Sequence, residues 1–501
     1  MAGITSAAYP PSLSEAETEV LVNTIKDWSA GNGLVVRPPP TVIPAEVDPK
    51  GIAAINAPVT LFPSPFPRQC FAQALGVQTT YNELYAAVSR NEEFIEGTVK
   101  EYAQQRRVHG CPGALVIEGD EFIKNLWAVH QKVKAEGYTQ DTTADSPTFQ
   151  VKQVEFNTIA ASFGGLSYYT SRLHKYLSTR EYPLLEKAIP SDAMELPSNN
   201  SIPGLAAGLE TAFYAYPASE LGHPNCILFL VQDGERNVFD QRHIEYRLAD
   251  VAPAVPVFRL AFSAIKKHTA IADTPKRQLL YHPPQCPDKT YEVAVAYLRG
   301  MYDPSDFPDQ DAWDARYHIE RSAAIKCPTV LTQLAGTKKV QQVLATPQPA
   351  SAPPSVLHRF VKDAAADQVA ALARTFTNIY PMDTSPAGLE ARRRVLDPQL
   401  AEAGAIPAYL KSIPEAHWNS YILMELITPP PVSNLILRNG SVEKGGVICE
   451  LGIYGTCLWD QQTDEIHHNE QAGYLLRTKG DKSEEGGVAA GFGCMDSCRL
   501  V

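Results

Sequence analysis

Absences narrow the field first. No apolar run approaches the roughly 20 residues that a bilayer-spanning helix requires, and the opening MAGITSAAYPP lacks the charged-then-apolar pattern of a secretory leader. No membrane partner is expected, and a cytoplasmic location is the expectation. Basic residues are in deficit: 44 Lys and Arg against 56 Asp and Glu leave a net charge of −12. A surface of that sign argues against nucleic acid and anionic membranes as partners, so any anionic substrate must meet a local basic cluster. Paired cysteines at zinc-site spacing are also lacking. The nine cysteines are odd in number and scattered from Cys70 to Cys498, which fits reduced thiols rather than a disulfide framework. Cys494 and Cys498 have no second pair to complete a metal site.

What is present is globular. A chain of 501 residues exceeds one simple core and predicts two or three lobes. The stretch Val151 to Ser167, VKQVEFNTIAASFGGLS, organises the rest. Val154, Phe156 and Thr158 alternate with Gln153, Glu155 and Asn157, the period of a strand with one polar face. Glu155 and Asn157 then share that face, and a carboxylate with an amide oxygen suits a magnesium ion already carrying phosphate. Gly164 and Gly165 follow, where backbone amides can approach a small anion. Two readings stand: a metal half-site beside an anion-binding turn, or an edge strand followed by a glycine turn.

Along the chain, Ser14 and Glu17 form a capping box, and Leu21, Ile25 and Trp28 predict a helix from Ser14 to Trp28. Proline-rich connections follow at Pro38 to Pro49 and Leu61 to Arg68. Helical patterning covers Tyr81 to Gln105, and Leu115 to Asp120 predicts a turn into a helix from Glu121 to Lys134. Cys226 to Val231 reads as a buried parallel strand. Its following loop carries Glu235, Arg236, Asn237 and Gln241, at the strand end where α/β sheets place ligands. Val257-Phe258 and Val293 to Tyr297 continue the α/β pattern, the latter ending in Arg299 and Tyr302. Arg299 is a ligand group or a surface salt bridge.

Ile319 to Leu344 reads as helical around a break, and Gly336-Thr337 opens a helix with Lys338 near an anion or in solvent. Helical sequence ends near Ile413. Strands are predicted at Tyr421 to Ile427 and Val447 to Trp459, the second holding Glu450 and bending at Gly452 and Gly455. Arg477 and Lys479 fall on one face if extended, and Glu485 to Gly491 is a small-residue loop able to close over a ligand. That tail is an anion clamp with a lid, or a solvated basic turn.

The motifs QVEFNTIAASFGGLS, ERNVFDQR, KCPTVLTQLAGTKKVQQ, SYILME, ELGIYG and LLRTK with GGVAAG, spread from Gln153 to Gly491, resemble those of the eukaryotic glutathione synthetases, most similarly the fungal type. The resemblance implies an α/β (α+β mixed) ATP-grasp fold with an inserted α/β substrate-binding domain and a flexible lid. The body would be built from residues 1–224 and 337–501, and the insert from 225–336. It implies a homodimer that ligates γ-glutamylcysteine to glycine through an acyl phosphate, using ATP and about two magnesium ions.

By matching position, Glu155 and Asn157 would bind magnesium. Ser162, Phe163, Gly164, Gly165, Glu235, Asn237, Gln241, Arg299, Tyr302, Arg477, Val488 and Ala489 would hold γ-glutamylcysteine. Glu155, Lys338, Met424, Glu425, Leu426, Ile427, Glu450 and Lys479 would line the ATP site, with Lys338, Arg477 and Lys479 as the catalytic cations and Gly486 to Gly491 as the lid. Ala160 stands where many relatives have serine.

Two departures accompany the resemblance. The family's LKPQREGGGNN segment is expected just before Ala405-Ile406-Pro407, yet Leu396 to Gly404 leads directly into it. The LGLxRSDY segment is expected after Gln140, where Asp141-Thr142-Thr143 stands instead. With them go a nucleotide lysine, a third magnesium carboxylate and a substrate arginine. A non-catalytic binding or regulatory relative and an ATP-dependent peptide ligase with altered substrates are therefore the alternatives to the synthetase. The synthetase is favoured because every other expected site residue is in place.

Overall fold

The computed structural model describes residues 9–98, 150–179, 195–347, 356–361, 366–396, 406–427, 429–430, 432–480 and 493–501. The expected turn and helix at 115–134, the continuation at 99–105, the departures at 141–143 and 397–404, and the lid at 486–491 with Val488 and Ala489 lie outside the described residues.

Helix α1, Glu15–Asn32, begins with the expected capping box of Ser14 and Glu17, and ends on Gly33 at φ 71°. It runs a turn beyond Trp28 because Gly33, not the last apolar residue, supplies the left-handed stop. Helix α2, Arg68–Arg90, starts well before Tyr81. Its first half buries Phe71, Ala74 and Val77 at the same spacing that continues through Tyr81, Leu84 and Val88.

The central lobe is a six-stranded sheet. Its strands are β5 Asn225–Val231, β6 Val257–Ala261, β7 Thr269–Ile271, β8 Leu279–Tyr281, β9 Tyr291–Leu298 and β10 Ile325–Cys327. They lie in the order β6-β5-β9-β8-β7, with β10 also on β9. β5 pairs parallel with both neighbours and is buried along nearly its whole length, as its unbroken apolar run requires. Helix α3, Ser201–Ala215, and helix α4, Val238–Val251, cover one face through Ala206, Leu209, Ile244 and Leu248. Helix α5, Gln310–Glu320, covers the other through Ala315 and Ile319. The reading of Ile319 to Leu344 as helical around a break is corrected in part: Ile325 to Cys327 form a strand that pairs parallel with Val295 to Tyr297. Two shorter helices follow, α6 Val330–Ala335 and α7 Lys338–Ala345, the latter opening after Thr337 where the Gly-Thr signal predicts, without a side-chain cap from Thr337.

A second architecture joins the two ends of the chain. Strands β3 Val59–Thr60, β13 Val432–Arg438, β14 Ser441–Trp459, β15 Ile466–Gly480 and β16 Gly493–Asp496 close into a barrel. β13 was not expected, and β14 starts six residues before Val447, because Gly445-Gly446 reads as a turn although it pairs across the ladder with Asn434 and Ser433. The register of β14 against β15 shifts between Ile453 and Gly455, where a bend was anticipated. The expected strand at Tyr421 to Ile427 is only Ile422–Met424, paired with Ile379–Pro381.

The most consequential correction concerns residues 151–158, which form no strand. Val154, expected on the apolar face, is 42% exposed, while Gln153 is buried. The segment is held from its sides instead. Gln153 N–H donates to Thr375 O at 2.7 Å, Gln341 Nε2 donates to Val154 O at 3.2 Å, and Phe156 stacks on Tyr85 with ring centroids 4.0 Å apart. Alternation without a ladder partner produced an extended strap, not a sheet edge.

Candidate active site

The strap forms one wall of a cavity of about 1970 Å³, larger than the roughly 300–1,000 Å³ of a single small-ligand pocket. Glu155, Asn157, Ser162, Phe163, Tyr302, Leu426, Ile427, Glu450, Arg477 and Lys479 all line it, as do Gly336 and Thr337 at the start of α7. The structure therefore brings together residues spread from 155 to 479. Lys338, Met424, Glu425, Gly164, Gly165, Glu235, Asn237, Gln241 and Arg299 do not form its wall, although several stand directly behind it.

Glu155 and Asn157 face one another, Asn157 Nδ2 donating to Glu155 Oε1 at 3.1 Å. Lys338 Nζ lies 3.9 Å from Glu155 Oε2 and donates to the carbonyl of Val154 and to Gln341 Oε1. Lys338 is thus neither fully solvated nor locked in a buried ion pair. Burial draws its pKa below the ordinary lysine value, and the Glu155 charge opposes that. Among the described residues no three His, Cys, Asp or Glu side chains cluster as a metal cage. Two neighbouring hard-oxygen donors at a cavity wall fit magnesium, which keeps several waters and takes its other ligands from phosphates.

On the barrel side, Glu450 and Arg477 are paired in register on β14 and β15. Glu450 Oε2 is 2.8 Å from Arg477 Nη2, and Oε1 is 3.2 Å from Lys479 Nζ. The expected shared face of Arg477 and Lys479 is what the strand delivers, since the intervening Thr478 is fully buried and donates to Asp496 Oδ2 at 2.8 Å. Arg477 and Lys479 thus bring two cations to one stretch of the cavity wall, a placement suited to meeting phosphate.

The glycine turn differs from its expected role. Phe163, at φ 70°, precedes a helix from Gly164 to Ser178. Its amide and those of Gly165 and Leu166 donate to the carboxylate of Asp240 at 2.8, 2.7 and 3.2 Å. The helix N-terminus is therefore satisfied by an anion of the protein itself, not held open by glycine for a ligand. Gly165 is required for close approach: a Cβ there would lie 2.5 Å from Asp240 O. Arg299 is 2% exposed, which rules out a surface salt bridge. It donates to Ala161 O at 2.5 Å, Tyr297 Oη at 3.1 Å and Ser162 Oγ at 3.0 Å. Tyr454 Oη donates to Ser162 O at 2.6 Å from the bulge of β14.

Beside this cluster, Glu235 accepts from Asn237 N–H at 2.7 Å and from Gln241 Nε2 at 2.5 Å. Gln241 Oε1 accepts from Arg259 Nη2 at 2.6 Å. Tyr302 is 48% exposed at the strand exit. Glu425 accepts from Asn378 and Tyr380 and lies 3.3 Å from Arg394, while Met424 pairs with Ile379.

Asp240 and Arg259 escaped the sequence reading. A lone arginine in the otherwise apolar run from Val257 to Ala261 was the available signal for the second. Asp240 gave none, its partners lying some 75 residues away.

The family model described as eukaryotic glutathione synthase, ATP binding domain, matches residues 15–500. The chain is 34% identical to the glutathione synthetase large chain of Schizosaccharomyces pombe over 527 positions, covering 97% of this chain and 98% of that one. It is 35% identical to glutathione synthetase of Xenopus laevis, covering 89% and 90% of the two chains, and 35% identical to that of Homo sapiens, covering 88% and 89%. Among solved structures, a glutathione synthetase-like effector from Globodera pallida in apo form is similar with a TM-score of 0.67 at 21% identity, over 98% of each chain. The mixed α/β architecture is accordingly of ATP-grasp type.

Proposed function

The chain belongs to the eukaryotic glutathione synthase family, and from that premise we propose that it ligates γ-glutamylcysteine to glycine with ATP, giving glutathione, ADP and phosphate. The observation that carries the reading is the convergence of Glu155, Asn157, Glu450, Arg477 and Lys479 on one cavity, with Lys338 within ion-pair distance of Glu155.

The chemistry needs such a set. An ionised carboxylate is a poor electrophile, so its oxygen first attacks the terminal phosphorus of ATP and ADP departs. The glycine amine then attacks the acyl carbon, the new C–N bond forms, the C–O bond to phosphate breaks, and the amine loses a proton. Lys338, Arg477 and Lys479 offset the charge that moves between phosphates. Magnesium, held by Glu155 and Asn157 together with phosphate oxygens, supplies further neutralisation of those phosphates when bound. On the substrate side, Ser162, Phe163, Glu235, Asn237, Gln241, Arg299 and Tyr302 would take γ-glutamylcysteine, with Gly164 and Gly165 serving the turn that Asp240 closes. Leu426 and Ile427, with Met424 and Glu425, would border the nucleotide.

Residues 225–336 are taken as the substrate-binding insert, with 1–224 and 337–501 as the body; the core on one face of the β5–β9 sheet also draws on Ala206, Leu209 and Ala212 of α3, which precede that boundary. A homodimer rests on the family resemblance alone, and sedimentation would test it. A cytoplasmic location is supported by the eight described cysteines, all free thiols, as a reducing compartment keeps them.

The two departures from the family sequence are the ground for the non-catalytic alternative, which relatives at 34–35% identity across most of the chain do not favour. Consistently, the alignment with the S. pombe protein spans more positions than the 501 residues of this chain, so some have no residue here. Against it also stand the carboxylates Glu155 and Glu450 and the cations Arg477 and Lys479 at the cavity. ADP release by purified protein, with ATP, magnesium and γ-glutamylcysteine and with or without glycine, separates the two. Glycine-dependent release at about 1 to 1,000 per second fits a synthetase; its absence leaves a binding protein.

A further inference from the structure

Arg259 lies inside β6, one strand away from β5 and the loop that carries Glu235, and its side chain is 11% exposed. Nothing in the reaction scheme above uses it. Its guanidinium can only donate, and it donates to Gln241 Oε1 at 2.6 Å. Gln241 is itself buried, at 1% exposure, so its amide has two orientations to choose between. As found, the oxygen faces Arg259 and the NH₂ group faces Glu235 Oε2 at 2.5 Å. Turned over, it would set donor against donor at Arg259 and acceptor against acceptor at Glu235, and each would lose that bond, Arg259 keeping Glu245 at 3.7 Å and Glu235 keeping Asn237 N–H. Arg259 therefore decides which end of Gln241 meets Glu235.

That choice matters for what Glu235 can bind. The carboxylate is held by Asn237 N–H on one oxygen and by Gln241 on the other, and each oxygen keeps a further lone pair. A carboxylate so braced, beside the buried Arg299, suits an ammonium group with a nearby carboxylate, the two charges of a free α-amino acid end. We propose that Arg259 is a positioning residue which, through Gln241, aims Glu235 at the α-ammonium group of the substrate and so makes the site selective for dipeptides that carry one. The proposal rests on the reading that Glu235 and Gln241 take the γ-glutamyl end.

The test compares γ-glutamylcysteine with glutarylcysteine, which differs only in lacking the α-amino group. The kcat/KM ratio for the two is measured in the unaltered full chain and in Arg259→Met, Arg259→Gln and Arg259→Lys. The unaltered protein is expected to prefer the amino dipeptide at least tenfold, since a site built to bind a polar group rejects the analogue without it. R259M and R259Q are expected to lose about tenfold of that preference, through KM for the amino dipeptide, with KM for ATP unchanged. R259K, which still only donates, is expected to keep most of it. Should one neutral variant fail to fold, the other carries the test. Full discrimination in R259M or R259Q, or an equal loss on both dipeptides, overturns the proposal alone. Equal use of the two dipeptides by the unaltered protein overturns the underlying reading, and the proposal with it.

Discussion

Asp240 and Arg299 lie 3.5 Å apart from Oδ2 to Nη2, with side chains 0% and 1% exposed. The same carboxylate closes the N-terminus of the helix that begins at Gly164, so a single acidic residue fixes both the candidate substrate arginine and the turn beside it.

Replacing Asp240 by Asn keeps the shape and removes the charge. Arg299 is then buried without a counter-ion, a change that costs about 3–5 kcal/mol in comparable pairs. Chemical denaturation of D240N is expected to show a loss of that size. A loss below about 1 kcal/mol would mean that Arg299 is neutralised by another group.

Lys338 offers the opposite case. It is 44% exposed at its side chain, so Lys338→Gln is expected to leave stability within about 1 kcal/mol of the parent. Its weight falls on turnover, where loss of one charge-stabilising donor lowers kcat by about 100- to 1,000-fold. Steady-state kinetics beside a thermal melt measure both, and a kcat within tenfold of the parent would remove Lys338 from the chemistry.

Glu155 and Asn157 are assigned to magnesium as a pair. Glu155→Gln keeps the contact with Asn157 but removes the charge, and the magnesium concentration for half-maximal rate is expected to rise about tenfold or more. Magnesium titration at saturating ATP gives the value, and an unchanged midpoint would assign the metal elsewhere.

A pH dependence of stability follows from His174. Its ring is buried between Ser497 Oγ at 2.7 Å and Thr60 O at 2.9 Å. Burial draws its pKa below the ordinary 6.5, against the opposing influence of Asp496 and the Thr60 carbonyl. His243 and His318 are also drawn down, chiefly by burial. The unfolded chain then binds more protons than the folded one as pH falls below about 6.5, so stability present above that value is lost through the window beneath it. Each histidine contributes at most about 1.4 kcal/mol per pH unit. Unfolding measured between pH 5 and 7 is expected to show a shallower slope in His174→Gln than in the parent; an identical slope would contradict the assignment.

The legible parts were those where local pattern and tertiary environment agree. The run from Cys226 to Val231 is apolar throughout because β5 is covered on both faces, and Arg477 and Lys479 share a face because they sit two apart on a real strand. Residues 153–158 show the converse. Their alternation is genuine, but exposure at Val154 and burial at Gln153 are set by α7 and Thr375, which no local pattern announces. β10, three residues long, was hidden by the helical sequence on either side, and β13 by the polar residues Ser433, Asn434 and Arg438 within it. Of the site, the residues that the family motifs cover were nameable. Asp240 and Arg259 act on side chains and amides distant in sequence, so only folding reveals them.

The central claim is that ATP activates the carboxylate of γ-glutamylcysteine for attack by glycine. Its most direct test uses γ-glutamylcysteine labelled with oxygen-18 in the cysteinyl carboxylate, with ATP, magnesium and glycine, and mass spectrometry of the products. The account predicts glutathione and phosphate in equal amounts, with one labelled oxygen carried from the carboxylate into each phosphate. Unlabelled phosphate, or no glutathione from protein whose intact mass matches these 501 residues, would contradict it.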